Sequence, residues 1–366
     1  MSIKFIYILL VCSFVSLFST AQTEKASKPV NYNVHIFYYS WYGNPERDGK
    51  YIHWNHRILP HWRDTTWNNA GRFPGGDDIG ANFYPALGSY SSNDPDIISK
   101  HMEQIKEAGI GVVAISWWGK NSFTDKSVIK YFDIAQQYDL KICFHIEPVY
   151  KTAGEFKAQI EYINTSYNQH PAIFKYKDKP LYYIYDSGKV KYPEWNKLLA
   201  ADGEQSIRNT PLDATFIGHW ERERDGGFFL QSGFDGFYTY YASDGFMYGC
   251  SPKNWQTIAN FAKEHDFLFI PCAGPGYIDT RIRPWNTRNT KSRENGKYYK
   301  FMFMSAVDVD PDFIGITSFN EWHEGTQIEP AIPKTIPTFT YEDYGKNTDP
   351  MFYIKQTREL IKYYKR

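Results

Sequence analysis

Apolar residues fall along the chain in short β-rich runs, separated by stretches whose apolar positions recur every three or four residues. The runs are VHIFYYSW (34–41), GVVAISWW (111–118), LKICFHIE (140–147), PLYYIYD (180–186), ATFIGHW (214–220), FDGFYTYY (234–241), FLFIPCAG (267–274) and FIGITSFNEW (313–322). Between most of them lie helical stripes: 94–108, with Ile97, Ile98, His101 and Ile105 on one stripe, then 126–138, 155–167, 254–264 and 296–307, with 350–366 as the last outer helix. Strand and helix alternating eight times predicts a parallel sheet closed on itself, the (β/α)8 TIM barrel of the α/β class. The connection 42–93 between the first strand and its helix is about fifty residues long and full of Trp, His, Pro and Gly, so its length alone marks it as functional. No linker or internal repeat argues for a second domain, and residues 22–366 are expected to form one catalytic domain.

The first residues read differently. A single Lys4 precedes a largely apolar run from Phe5 to Phe18, followed by Ser19, Thr20 and Ala21. This predicts a secretory signal, residues 1–21, cleaved after Ala21. A retained anchor is the competing reading, but 14 residues at about 1.5 Å each span roughly 21 Å, short of a hydrocarbon core of about 30 Å. The mature protein is therefore expected to be exported, periplasmic or extracellular, without a membrane span. Cys143, Cys250 and Cys272 remain, an odd number that completes no disulfide framework, and Cys143 and Cys272 lie in apolar runs typical of core positions.

Barrel enzymes carry their chemistry at the C-terminal ends of the strands. Those ends supply Tyr38, Tyr39 and Trp41; Trp117 and Trp118; His145 and Glu147; Tyr185 and Asp186; His219 and Trp220; Tyr240 and Tyr241; and Asn320, Glu321 and Glu324. Aromatic platforms around a few carboxylates are what cleaving a glycosidic bond asks for. Glu321 and Glu324 follow an apolar strand three residues apart, where a helical turn would set both on one face within about 5–6 Å at Cβ. Glu147 alone specifies less, since a lone strand-end acid can equally be a salt-bridge partner. The Trp117–Trp118 pair could be plain core, but alternation along a strand sends the two to opposite faces, so one reaches the barrel mouth. His53, His56 and His61 in the first loop invite a metal reading, but neither they nor HEGTQ (323–327) have zincin spacing, and AGPGYIDT lacks a dinucleotide fingerprint. No metal and no cofactor is expected.

Composition narrows the partner. The 41 Lys+Arg against 41 Asp+Glu leave no electrostatic footprint for nucleic acid. The 11 Trp, 30 Tyr and 26 Phe supply flat apolar faces, many with polar tips, suited to sugars. A monomer gripping an uncharged glycan is expected.

The segments FYYSWYGNP (37–45), GKYIHWNH (49–56), DDIGANFYPALGSYSS (77–92), FHIEP (144–148), YYIYDS (182–187), SIRNTPLDATFIG (206–218), GFDGFYTYYAS (233–243), GPGYIDTRIRPWN (274–286) and SFNEWHEGTQIEPAIP (318–333) together resemble glycoside hydrolase family 99. The resemblance runs through nearly the whole mature chain. It implies a metal-independent, retaining endo-hydrolase of internal α-1,2-mannosidic bonds in mannans or high-mannose N-glycans. It puts the catalytic pair on Glu321 and Glu324 and a third functional acid on Glu147. In such enzymes one Glu deprotonates the substrate's own 2-hydroxyl, which attacks the anomeric carbon to give a 1,2-anhydro sugar, while the other protonates the leaving oxygen; Glu321 would be the base and Glu324 the acid. Tyr38 and Tyr240 match family tyrosines lining the site, and His53, Trp54, Trp117, Trp118, Tyr185 and Asn320 complete the expected glycan-binding set. Trp118, where animal members tend to have Tyr, resembles bacterial members that prefer mannose to glucose in the first donor-side subsite. Val149 departs from the Tyr expected after FHIEP, which leaves the carboxylate untouched. Conventional double displacement with a carboxylate nucleophile, and a non-catalytic glycan-binding barrel, are the alternatives.

Overall fold

A computed structural model describes residues 29–61, 71–345 and 349–364. The leader read at residues 1–21 lies outside the described residues. Among these, eight parallel strands alternate with eight helices. The strands are β1 (Asn31–Tyr38), β2 (Ile110–Trp117), β3 (Lys141–Ile146), β4 (Lys179–Ile184), β5 (Thr215–His219), β6 (Gly236–Tyr238), β7 (Leu268–Ile270, resuming after Pro271 as Cys272–Ala273) and β8 (Ile314–Ile316). Each of β1 to β6 pairs with the next, the first half of β7 pairs with β6, and its second half pairs with β8. Since β8 pairs in turn with β1, through Val34 opposite Ile314 and Ile36 opposite Ile316, the sheet closes. The expected TIM barrel is present.

The outer helices are α1 (Pro95–Glu107), α2 (Val128–Gln137), α3 (Ala153–Ser166), α4 (Tyr192–Leu199), α5 (Asp225–Ser232), α6 (Pro252–Glu264), α7 (Lys297–Asp308) and α8 (Phe352–Ile361). Local chemistry explains where several start. Asp94 caps α1 by accepting the Asp96 N–H, with Pro95 at the first helical position, and Thr152 caps α3 by accepting from Glu155. Helix α1 buries Ile98, His101, Met102 and Ile105, the stripe read from the sequence apart from Ile97, which is half-buried. Helix α4 has Pro193 in its first turn but no side-chain cap, and α5 has neither. Both are eight residues long, and α5 begins Asp225-Gly226-Gly227, a poor helix former in isolation. A Cβ at Gly226 would stand 3.0 Å from the Phe261 ring, so the glycine lets α5 pack closely on α6. No helix among the described residues is long and apolar enough to cross a membrane.

Inside the barrel, odd-numbered positions of β1 point inward and even-numbered ones outward. The Phe37 ring lies 4.8 Å from His145, 5.2 Å from Tyr183 and 5.5 Å from Tyr238. Much of the aromatic excess therefore fills the lumen, with polar tips satisfied internally: His145 Nε2 meets the Tyr238 hydroxyl at 2.7 Å and His35 Nδ1 meets the Tyr183 hydroxyl at 2.6 Å. Cys143, Cys250 and Cys272 are buried free thiols. The long β1–α1 connection is pinned to the loops after β7 and β8, through Leu59 N–H to the Ile282 carbonyl, Arg281 to Asp78 at 2.6 Å, and a short antiparallel pairing of Tyr84–Pro85 with Ala331–Ile332.

His35 is fully buried, and loss of water pushes its imidazole down from 6.5 to about 3. The unfolded chain takes up this proton below about pH 6.5, whereas the folded chain refuses it until about pH 3. Stability is thus intact above pH 6.5 and drains as pH falls toward 3. His35→Gln, which cannot titrate, is expected to lose less of its melting temperature between pH 7 and pH 4 than the parent; an identical loss in both would contradict this.

Candidate active site

Three strands and two loops bring the carboxylates to one end of the barrel. At the end of β2, Ser116 points inward and its hydroxyl donates to Glu147 Oε1 at 2.7 Å. Glu147 stands just beyond β3, buried, with His145 Nδ1 3.6 Å from the same oxygen. Burial, only partly offset by the Ser116 hydrogen bond, lifts its carboxyl from 4.5 to about 8. Trp118, 41% exposed at the rim, donates from Nε1 to the Ser116 hydroxyl at 3.0 Å.

The segment after β8 carries the other two. The Ser318 hydroxyl accepts the Glu321 N–H at 2.8 Å, and the Glu321 carboxylate accepts the His323 N–H at 3.2 Å, capping a single 3₁₀ turn, Trp322–Glu324. Gly325 ends the turn with φ 61°; a Cβ there would come within 2.6 Å of the Ile278 side chain. Trp322 is locked beneath the turn by Nε1 donation to Glu329 at 2.9 Å. Asn320 accepts the Tyr39 N–H at 2.7 Å and donates to the Tyr39 carbonyl at 2.9 Å. Glu324 is paired with Arg283 at 3.2 Å, and Arg283 also holds buried Asp279 at 3.0 Å.

Both Glu321 and Glu324 have carboxyls pushed up by burial, Glu321 further, because the charge of Glu324 adds to its desolvation. Arg283 opposes the rise at both, and at Glu324 adds a direct hydrogen bond. Two interacting carboxyls of this kind share protons as a pair. Above them the Tyr39 and Tyr240 hydroxyls are hydrogen-bonded to each other, and the Tyr39 phenol is pushed upward by burial and by the charges of Glu147 and Glu321. The Trp41 ring stacks 4.5 Å from Tyr39 and 4.0 Å from His53, with Trp118 at 6.0 Å. Tyr185 lies 5.2 Å from Tyr240 and stacks on His219 at 5.3 Å. Flat aromatic rings thus stand together with three carboxylates at one end of the barrel. One atom from each of His53, Glu321 and His323 lies within 4.8 Å of the others, as for Asp186, His219 and Glu221, so either trio could hold a metal ion. In the second, Lys189 already pairs with Asp186 and Tyr241 donates to Glu221.

The profile of glycosyl hydrolase family 99 matches residues 29–366. The chain belongs to that family. This family 99 protein is therefore a glycoside hydrolase, and its carboxylates lie where such chemistry is done. It is 47% identical over 350 residues to the glycoprotein endo-alpha-1,2-mannosidase of Rattus norvegicus, covering 92% of this chain and 76% of the relative. The Xenopus laevis protein of the same name is 47% identical over 351 residues, covering 92% and 78%. Among solved structures, the family 99 endo-alpha-mannosidase from Bacteroides thetaiotaomicron superposes with a TM-score of 0.88 at 45% identity, covering 91% of this chain and 97% of that one.

Within the family 99 chain the structure gathers Glu147, Glu321, Glu324, Tyr185, Tyr240, His53 and Trp118 at the mouth. Four residues expected to touch glycan stand elsewhere. Tyr38, at an even position of β1, faces the helices and bonds His101 at 2.7 Å and Tyr131 at 3.3 Å; inward-facing Tyr39 holds the mouth position instead. Trp117 faces outward for the same reason and donates to Asp125 at 2.8 Å. Trp54 is buried, stacked 4.0 Å from Tyr42, with its Nε1 donating to the Tyr90 carbonyl at 2.7 Å. Asn320 is buried on the Tyr39 backbone. Arg283, Asp279 and Ser116 were not read from the sequence at all: nothing separates Arg283 from its neighbours Arg281 and Arg288 until the fold brings it to Glu324.

Three measurements check this geometry. Tyr39→Phe is expected to lower kcat/KM by about tenfold or more on removing a hydroxyl beside the buried carboxylates. Tyr38→Phe should leave turnover near that of the parent and cost about 1 kcal/mol in urea unfolding, the scale of one hydrogen bond; the reverse pattern would return Tyr38 to the site. Arg283→Gln removes a positive charge that favours ionised Glu324, so the Glu324 carboxyl rises further. The alkaline limb of the pH profile is expected to move to higher pH, and a limb that stays put would detach it from Glu324.

Proposed function

We propose that this family 99 hydrolase is a retaining endo-α-1,2-mannosidase acting on mannose-rich glycans. The observation that carries the reading is the pair Glu321 and Glu324, both raised by burial, on one turn beside the aromatic rings of the mouth. The names of the relatives support the bond cleaved. Glu321 takes the proton from the 2-hydroxyl, whose oxygen attacks C1 from behind as the C1–O bond to the leaving sugar breaks, and Glu324 gives its proton to that leaving oxygen. Glu324 then takes a proton from water, the water oxygen opens the 1,2-anhydro ring at C1, and Glu321 returns its proton to O2. Two inversions give net retention. Mannose suits this route because its axial 2-hydroxyl is trans to an α-leaving group. Arg283 draws charge toward Glu324, whereas a sugar donating its 2-hydroxyl to Glu321 draws charge there and leaves the shared proton on Glu324. Glu147, with its carboxyl near 8, binds the reacting sugar and tunes its neighbours.

Trp118 extends the proposal to specificity: its exposed indole, tied to Ser116, suits a mannose-preferring subsite of bacterial type. Export belongs to the same reading, and the mature chain isolated from the producing cell should begin at Gln22 by mass. The protein is expected to release a disaccharide from an α-1,3-mannosyl-α-1,2-mannose oligosaccharide, and Glu324→Gln to lose nearly all of that activity, on the order of a thousandfold. Absent release, or full activity in Glu324→Gln, rejects the proposal. Trp118→Tyr should shift preference toward glucose-capped substrate, and an unchanged ratio sinks the specificity argument.

A further inference from the structure

The turn that carries the two acids also carries His323, and the long first loop lays two more histidines against it. The imidazole of His323 lies 4.8 Å from that of His53 and 4.8 Å from that of His56, and the latter two are 5.1 Å apart. His323 is buried, yet neither ring nitrogen has a hydrogen-bond partner, and its Nδ1 stands 4.0 Å from Glu321 Oε1. A buried polar group left unmatched is costly and asks for a ligand. His53 is held with φ 63°, an uncommon conformation for a non-glycine residue, and this places its ring against His323 and Trp41.

One donor atom from each of His53, Glu321 and His323 already lies within 4.8 Å of the other two. A tetrahedral zinc ion with bonds of about 2.0–2.1 Å needs its donors about 3.3 Å apart, so rotation of the side chains by an ångström or so closes the set. Two imidazoles with a single carboxylate suit zinc rather than calcium or magnesium, which prefer oxygen cages. His56 adds a supporting imidazole: its Nδ1–H donates to the Arg57 carbonyl at 2.6 Å, leaving the lone pair on Nε2, the arrangement usual for metal-facing histidines. Burial keeps all three imidazoles neutral near pH 7. The charges facing the group are the carboxylates Glu321 and Glu324, Arg283 paired with Glu324, and Arg57 and Arg72 beside His56.

We propose that His53, His323 and Glu321 form a zinc-class divalent cation site whose occupancy excludes the glycan and silences the hydrolase. The inhibitory half rests on the reading of Glu321 as the catalytic base; the metal site itself does not. Zinc takes the carboxylate lone pair that would accept the 2-hydroxyl proton, so bound metal and turnover are mutually exclusive. The ion is an inhibitor and takes no part in bond cleavage.

The full chain, freed of metal with a chelator, is titrated with Zn²⁺ by equilibrium dialysis and with Co²⁺ by visible absorption. One ion per chain is expected, with the intense bands of a four-coordinate Co²⁺ site. His53→Ala and His323→Gln should each weaken binding about tenfold or more. Mannose-oligosaccharide cleavage should fall in proportion to zinc occupancy, recover with EDTA, and be indifferent to Mg²⁺. Failure to bind one ion, or binding undiminished in both variants, overturns the site, and turnover unchanged at full occupancy overturns the inhibition. Because stoichiometry and the Co²⁺ spectrum need no substrate, a wrong assignment of the glycan leaves the metal result readable. Circular dichroism of each variant separates lost ligands from lost fold, and His56→Ala, at a half-buried position of the loop, provides a milder second test.

Discussion

The site hangs on a seam. Backbone pairing between β8 and β1 carries the closed sheet as far as Ile316, and the Phe319 N–H still reaches the Phe37 carbonyl at 2.8 Å. Beyond that point the backbones diverge, and the side chain of Asn320 takes over, meeting both the N–H and the C=O of Tyr39. One amide thus continues a β-ladder where the chain has turned away to make a 3₁₀ turn. It fixes the inward-facing Tyr39 against the residue that follows it, Glu321. Tyr42 adds a second tie by donating to the Asn320 carbonyl at 2.9 Å. Without that registration, Tyr39 and the turn that carries Glu321 and Glu324 would belong to separate loops.

Water exclusion supplies the chemistry that the seam positions. Glu147, Glu321 and Glu324 all hold protons more tightly than free carboxyls, and in each case burial is the leading cause. Single hydrogen bonds then set them apart: Ser116 on Glu147, the His323 N–H on Glu321, Arg283 on Glu324. The side chain of Glu324 is 23% exposed and that of Glu321 only 6%, so the residue proposed to meet the leaving group is also the one nearer to solvent. An uncharged ligand needs no long-range steering, which fits a chain of zero formal charge.

The barrel was legible because each strand is a compact apolar run and most helices have a clear stripe; α4 and α5 escaped because eight residues give barely two turns of periodicity, and α5 opens with two glycines. The acids were legible because strand ends are where barrels keep them. Tyr38 and Trp117 were misplaced for one reason. Resemblance supplies which tyrosine or tryptophan matters to within a residue, whereas strand parity decides which one faces in, and a neighbour one position away faces the helices. The aromatic excess proved to have two jobs, since Phe37, Tyr183 and Tyr238 fill the lumen while Tyr39, Trp41 and Trp118 line the mouth. Arg283 was invisible because a cation on a long loop has no pattern of its own.

The hydrogen bond between Asn320 and Tyr39 spans 281 positions of the chain. A contact of that separation is late both in synthesis and in folding, since its second half does not exist until the barrel is nearly complete. The mouth therefore works as a completion check: a chain stalled before its last strand has aromatic walls and Glu147 but neither Glu321 nor Glu324. The three carboxylates come together only once the two ends of the barrel have met.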